Sequence, residues 1–552
     1  MVIMVDALLN FSRPLVDLAR LAGPIFDKEL RVSSRRRRNY ALRSAYVVLL
    51  CLFIMYAWLA TLRFAGPTTA AFRASRMALA GRRIITAVIW FQFVAAQLMA
   101  IVILSTSISG EIRQRTLSVL MTSPINSLQI VAGKLLSGLL QVMLLAAISL
   151  PLLAIIRVLG GVPWDSVVSG ICITLTAALL AGSISLLLST ICRQAYTVVL
   201  TVMTGYFVAF GASSALVNLL SRYGVLSSAL TDILLYVLNP FGAIFAALSS
   251  ARTAAAVALW PAHCAVMLAA SAAVLSLAVL RVRKTALGRA FSPTSKRKTY
   301  SPLKRVTGAP VVWKEMRRRS LGHGKTKAAL LAVVVVLGIA MFFGITAGGG
   351  QSPILYSYLM TGLALIVFVR LAILSAASIT AEKEAGTWPI LLATPLDDKR
   401  ILRGKAVAAF RRALPLLVFL LLFHIVFYAG IMMSSGGRIR GPFGIYLLYY
   451  AVSLLGTALF VIGVGLYLGI RMKSTNAAVA TTVGIYIALQ LFGPRLLVSL
   501  LYGLVLVRLL GPARGNVWLL SLIFTLIPAC VFAALGLLAL TRATRRLRHC
   551  IF

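Results

Sequence analysis

The chain has 552 residues, 60% of them hydrophobic and 12% charged, and its mean hydropathy of +0.96 excludes a soluble enzyme carrying an anchor: it is the composition of a polytopic membrane protein. A formal net charge of +43 raises nucleic acid as a partner, but the basic residues gather at the ends of apolar runs, which points to anionic membrane lipids and no nucleic acid. The six cysteines, Cys51, Cys172, Cys192, Cys264, Cys530 and Cys550, form no CxxC pair and read as packing residues, with no metal site or disulfide framework.

The first element in chain order is PIFDKELR, in which Pro24, Lys28, Glu29 and Arg31 stand ahead of the first apolar run. Proline suits the first turn of a helix, and acid followed by base among apolar residues predicts a short helix lying on the membrane surface. The apolar run begins only after Arg43, behind the basic cluster Arg35 to Arg38, so no cleavable signal peptide is expected. Runs of about 20 residues, enough to cross a bilayer, fall near 41–62, 84–108, 135–156, 167–191, 196–220 and 257–280. A second set falls near 328–347, 354–379, 406–431, 443–470, 475–501 and 516–541. The expected fold is therefore an all-α integral membrane protein of twelve spans. Its parts are an N-terminal segment (1–43), a first six-span half (44–280), a basic linker (281–327), a second six-span half (328–541) and a basic tail (542–552).

The segment EIRQRTLSVLMTSPINSLQIVAGK, 111–134, follows the second run, and EKEAGTWPILLATPLDDKRILRGK, 382–405, follows the eighth. Glu111, Thr116, Leu120, Pro124, Gly133 and Lys134 share one register with Glu382, Thr387, Leu391, Pro395, Gly404 and Lys405. The threonine hydroxyl is suited to cap a helix, and the residue before Pro124 or Pro395 is pushed out of helical geometry, so each copy predicts a two-turn helix between hard stops. Leu117, Leu120 and Met121, like Trp388, Leu391 and Leu392, give it an apolar face, and Pro389 is tolerated in its first turn.

The repeat extends further. PVVWKEMR, with Pro310, Lys314, Glu315 and Arg317, reproduces the Pro24 element just ahead of the second half, and Arg193 is echoed by Lys473. The first half is longer between its opening element and Glu111, and the surplus is placed in a long loop from Arg63 to Arg83, where the second half has a turn at 348–353. The chain reads as a tandem duplication of a six-span unit with both copies in one orientation. Residues 281–327 carry fifteen Lys or Arg against Glu315 alone, which places the linker and both termini in the cytoplasm of a multi-pass protein of the cell membrane.

Chemistry is mostly excluded. The GHGKT of 322–326 lacks the glycine a phosphate loop needs at Arg319 and the apolar strand before it. No HExxH, GxSxG or paired intramembrane carboxylates appear, so no catalytic residue and no metal ligand is assigned. All twelve acids lie outside the runs, which weighs against an ion-coupled secondary transporter, the main rival class, although His263 and His424 stand within runs. Arg370, well inside the eighth run, is the one residue placed on a substrate pathway; snorkelling, pairing with a backbone carbonyl and facing a polar cavity stay open for it.

The order of surface helix, two spans, a short capped segment with a Glu…Thr…Pro…Gly-Lys pattern and four further spans resembles the ABC-2 type permease of ATP-binding cassette transporters, with two permease halves fused. The resemblance implies that Glu111, Thr116, Leu117, Leu120, Met121 and Pro124, and Glu382, Thr387, Trp388, Leu391, Leu392 and Pro395, form coupling helices docking onto ATPase subunits. It also implies that the Pro24 and Pro310 elements are elbow helices. ATP and magnesium are then bound by two nucleotide-binding domains on separate subunits, and this chain is not itself an enzyme. Export is the expected direction, and a non-transport ABC-driven membrane complex is the alternative. Arg113 and Arg115 of the first copy stand where the second has Glu384 and Gly386, so unequal docking of the two copies is expected.

Overall fold

The computed structural model describes residues 24–29, 31, 40, 43–44, 46–52, 54–55, 70–114, 116, 125–160, 163–192, 194–248, 259–290, 306, 308–317, 352–434, 443–472, 474–501 and 517–547. Among these all regular structure is helical, and the chain divides into two units, residues 1–206 with 224–298 and residues 207–223 with 299–552.

The first unit contains α1 (Ala70–Ser105), α2 (Ser109–Gln114), α3 (Ser127–Gly160), α4 (Trp164–Ile191) and α5 (Ala195–Tyr206), then α6 (Ser228–Asp232), α7 (Pro240–Leu248) and α8 (Trp260–Ala290). Helix α4 lies at its centre, against α1 and α8. Its buried residues are mostly small, among them Ser166, Ser169, Gly170, Ala177, Ala178, Ala181, Gly182, Ser183 and Ser185. Between apolar helices in a bilayer, close backbone approach and interhelical hydrogen bonds replace the hydrophobic effect as the force of association. Both are present here: a methyl group at Gly182 would stand 2.6 Å from Leu104 of α1, and the Ser185 hydroxyl donates to the Ile101 carbonyl at 2.9 Å.

The second unit contains α9 (Pro310–Arg317), α10 (Ser352–Glu384), α11 (Trp388–Leu392), α12 (Asp398–Ser434), α13 (Phe443–Arg471), α14 (Thr475–Leu501) and α15 (Val517–Arg546). Here α13 is central, packed on α10 and α15. Gly456 of α13 and Gly536 of α15 are among the close contacts between the two helices, where an added methyl would meet backbone oxygens of Ala529 and Leu459 at 2.5 Å. Gly465 and Gly469 face Ser375 and Ala376 of α10.

Nine helices among the described residues are long and apolar enough to cross a membrane, and a tenth candidate is a pair, Ser228–Val237 and Pro240–Leu248, bent by 99°. The protein is a multi-pass membrane protein, its regular structure all helical among the described residues. Of the twelve expected runs, 328–347 lies outside the described residues and so does half of 41–62; 475–501 is helical as α14. One expectation is corrected: the stretch 63–83 is not loop throughout, because α1 begins at Ala70. In the bent pair, Asn239 accepts from the amides of Phe241 and Gly242 at 2.9 and 3.4 Å, capping α7 at the bend.

Candidate functional site

The Glu-x-x-x-x-Thr spacing has a structural cause other than the expected one. Helix α10 ends in a turn in which the Thr387 amide donates to the Glu382 carbonyl at 3.0 Å and the Gly386 amide to the Lys383 carbonyl at 3.1 Å, with Gly386 at φ +68°. That pair of bonds around a left-handed residue is the Schellman termination, in which the sixth residue bonds back to the first. In the first unit the Thr116 amide makes the same 3.0 Å bond to the Glu111 carbonyl. Threonine thus closes the preceding helix. Thr387 makes no side-chain cap to α11, and its hydroxyl turns back to the Glu382 carbonyl at 3.4 Å. The two-turn helix expected after it is also shorter, five residues from Trp388 to Leu392, with Pro389 in its first turn. Leu117, Leu120, Met121 and Pro124 lie outside the described residues.

The apolar face of α11 turns inward. Trp388 is 1% exposed within the core of its own unit, and Leu391 and Leu392 are half-buried against that core, whereas Ile390 is 68% exposed and Pro389 and Pro395 are exposed. The continuous face of Trp388, Leu391 and Leu392 is therefore committed to this chain, because three apolar side chains next to an available core lose more water contact there than at the surface.

Lys405 is the node of this region. Its ammonium, 1% exposed, donates to Glu315 Oε1 at 3.0 Å, Glu382 Oε2 at 2.9 Å and the Ser378 carbonyl at 2.8 Å, which uses all three of its protons. Lys314 approaches Glu382 Oε1 at 2.8 Å, so two lysines and two glutamates form a neutral chain. The Lys405 ammonium also lies 5.9 Å from the centre of the Trp388 ring. Four elements, α9, α10, α11 and α12, meet at one buried cation. Gly404 lets them close up: a methyl there would stand 2.9 Å from Val311 of α9.

The first unit holds the same charges. Lys134, 4% exposed, contacts Glu29 Oε1 and Glu111 Oε1, each at 3.2 Å, and Lys28 adds attraction to Glu111. The Thr116 hydroxyl donates to the Glu111 carboxylate. This cluster is more open, with Glu29 35% and Glu111 19% exposed against 6% for Glu315 and for Glu382. The Pro24 and Pro310 elements are helical at 24–29 and in α9, with Pro24, Pro310, Lys28, Arg31 and Arg317 exposed; Arg317 stacks 4.3 Å over Trp313. Each buries its second residue, Ile25 or Val311, and α9 also buries Glu315, so α9 is docked into its unit and does not simply lie on a surface.

Sequence reasoning did not join these charges. The signal was present: in a chain with twelve acids, Glu29 and Glu315, and Glu111 and Glu382, keep the same place in both copies, as do Lys134 and Lys405. The substitutions that separate the copies also acquire a meaning. Glu384 Oε1 accepts from the Thr475 amide at 2.8 Å, at the N-terminus of α14, and Lys383 donates to the Ile470 carbonyl at the end of α13. Arg113, in the Glu384 position, has no acceptor atom to offer.

No curated protein matches the chain. Residues 77–254, which include the Glu111–Lys134 segment and its buried lysine, match the family model described as ABC-2 family transporter protein, so that over this stretch the chain is similar to that family.

Proposed function

We propose that the chain is the transmembrane permease of an ABC transporter, built from two fused six-span halves in tandem, exporting a substrate as separate ATPase subunits with two nucleotide-binding domains hydrolyse ATP. The reading rests on one observation: in each unit a buried lysine, Lys134 or Lys405, is held between a glutamate of the short Pro helix and the glutamate that ends a membrane-crossing helix. A force applied to α11 would pass through Trp388 and Lys405 into α9, α10 and α12 together, since a charge with all its partners made resists separate movement of any one of them. The exposed part of that segment, Pro389, Ile390 and Pro395, is the surface offered to an ATPase. Both Glu…Lys segments, the linker and the termini face the cytoplasm of the cell membrane in this reading. ATP and magnesium belong to the partner subunits.

The test is site-directed crosslinking. A photoreactive side chain at Ile390 of the full-length chain, illuminated in native membranes, should capture a protein carrying a phosphate-binding loop. Recovery of no ATPase from that position, or labelling of an Ile390→Cys variant lacking other cysteines by an impermeant thiol reagent added outside intact cells, would overturn the reading.

A further inference from the structure

We infer that Lys383 and Glu384 are positioning residues that clamp the turn between α13 and α14 to the closing turn of α10. In the ATPase docking proposed above, on which this rests, they give movement of α11 a bonded path into the second unit that Ile112 and Arg113 cannot make in the first. The base of the clamp is held by backbone bonds: the amides of Ala385, Gly386 and Thr387 donate to the carbonyls of Ala381, Lys383 and Glu382 at 3.1, 3.1 and 3.0 Å, and Trp388 of α11 follows at once. From this turn the two side chains reach opposite sides of one junction. Lys383 donates to the carbonyl of Ile470, in the last turn of α13, and Glu384 Oε1 accepts from the amide of Thr475, the first residue of α14, at 2.8 Å. Met472, Lys473 and Ser474 alone separate the two helices.

Each charge suits the helix end it holds. The last carbonyls of a helix lack partners along the helix and carry partial negative charge, and the first amides carry partial positive charge, so a lysine at the end of α13 and a glutamate at the start of α14 are both favoured. Charge-assisted bonds of this kind are about twice as strong as neutral ones. Glu384 is itself exposed, but the groups that the pair holds belong to residues only 2% and 3% exposed, Ile470 and Thr475, where water competes little. Because α13 is the central helix of its unit, packed on α10 and α15, a displacement that enters through the clamp is delivered to the middle of the bundle.

The repeat provides an internal control. Aligned through Glu111 with Glu382, the first half has Ile112 in place of Lys383 and Arg113 in place of Glu384; aligned through Arg193 with Lys473, its α5 begins at Ala195 where α14 begins at Thr475. Ile112 is half-buried against the core that holds Leu186 and has no polar side-chain atom, and an arginine side chain cannot accept from an amide. The two helix starts are otherwise bonded alike. The Val198 amide donates to the Gln194 carbonyl at 3.4 Å, and the Ala478 amide to the Ser474 carbonyl at 3.1 Å. A helix therefore starts at this place without the clamp, so Lys383 and Glu384 serve a task beyond forming α14.

The experiment is amide hydrogen exchange, read by mass spectrometry, on the full-length chain purified with its ATPase from native membranes, with and without ATP and orthovanadate. Trapping the nucleotide should change exchange in the first turn of α14 by about fivefold, the size of one net hydrogen bond, and should change the first turn of α5 much less. Lys383→Met combined with Glu384→Ala should abolish the α14 response while the α11 segment still responds. Lys383→Arg combined with Glu384→Gln, which keeps a donor and an acceptor, should retain it. If the first pair of changes prevents folding, the comparison of α14 with α5 in the unaltered complex decides alone. Equal responses at α5 and α14, an α14 response that survives Lys383→Met with Glu384→Ala, or its loss in the conservative pair would overturn the inference and leave ATPase docking standing. Absence of an ATPase from the purified complex, or no nucleotide response at α11 itself, would overturn the docking and the inference with it.

Discussion

Lys405 and Glu382 meet at 2.9 Å with their side chains only 1% and 6% exposed, and their counterparts Lys134 and Glu111 meet at 3.2 Å with 4% and 19%. The same pair thus exists in a closed and a more open version within one chain. A buried ion pair is weak evidence of stabilisation, because desolvation offsets the attraction, but removing one partner leaves a charge that water cannot reach.

Lys405→Met should therefore destabilise the protein by about 3–5 kcal/mol, since it takes from two buried glutamates, Glu315 and Glu382, the ammonium they share. Lys134→Met should cost less, because Glu29 keeps contact with solvent. Adding Glu382→Gln and Glu315→Gln to Lys405→Met should restore part of the loss. Thermal unfolding of the detergent-solubilised chain checks the order; equal losses at the two lysines would contradict the difference in burial.

Gly404→Val should be destabilising by about 1–3 kcal/mol through overpacking against Val311. The contact is specific, so Val311→Ala in the same chain should recover stability beyond the sum of the single changes. A double-mutant cycle measures that coupling, and strict additivity would mean that α9 does not rest on Gly404.

Glu384→Ala should remove the acceptor of the Thr475 amide and cost about 1 kcal/mol, the usual size of a helix N-terminal cap. The effect should appear as faster amide exchange in the first turn of α14, with α10 unaffected. Unchanged exchange at Thr475 would show that the contact carries no energy.

Trp388 and Ile390 should separate folding from partner binding. Trp388→Ala empties a buried position and should cost about 3–5 kcal/mol. Ile390→Asp alters an exposed side chain and should leave thermal stability unchanged while lowering recovery of the ATPase that the proposed function requires. If Ile390→Asp recovers as much ATPase as the unaltered chain, docking does not use this surface.

The sequence by itself determined the class of the protein, the positions of most membrane-crossing helices, the helix at Pro310 and the shared register of the two Glu…Lys segments, because each depends on residues within a few turns of one another. It also marked Arg113 and Arg115 as departures without revealing what Glu384 and Gly386 do. Only the tertiary structure decided that Thr387 closes α10 and does not open α11, that Trp388 turns inward, and that the chain bends by 99° after Val237. The charge clusters needed it as well, since Lys134 meets Glu29 across 105 residues and Lys405 meets Glu315 across 90. The physical reason is the same throughout. Hydrophobic periodicity and caps fix which segments are helical, but the side of a short helix that is buried, and the carboxylate that a buried ammonium finds, depend on which helices pack beside it.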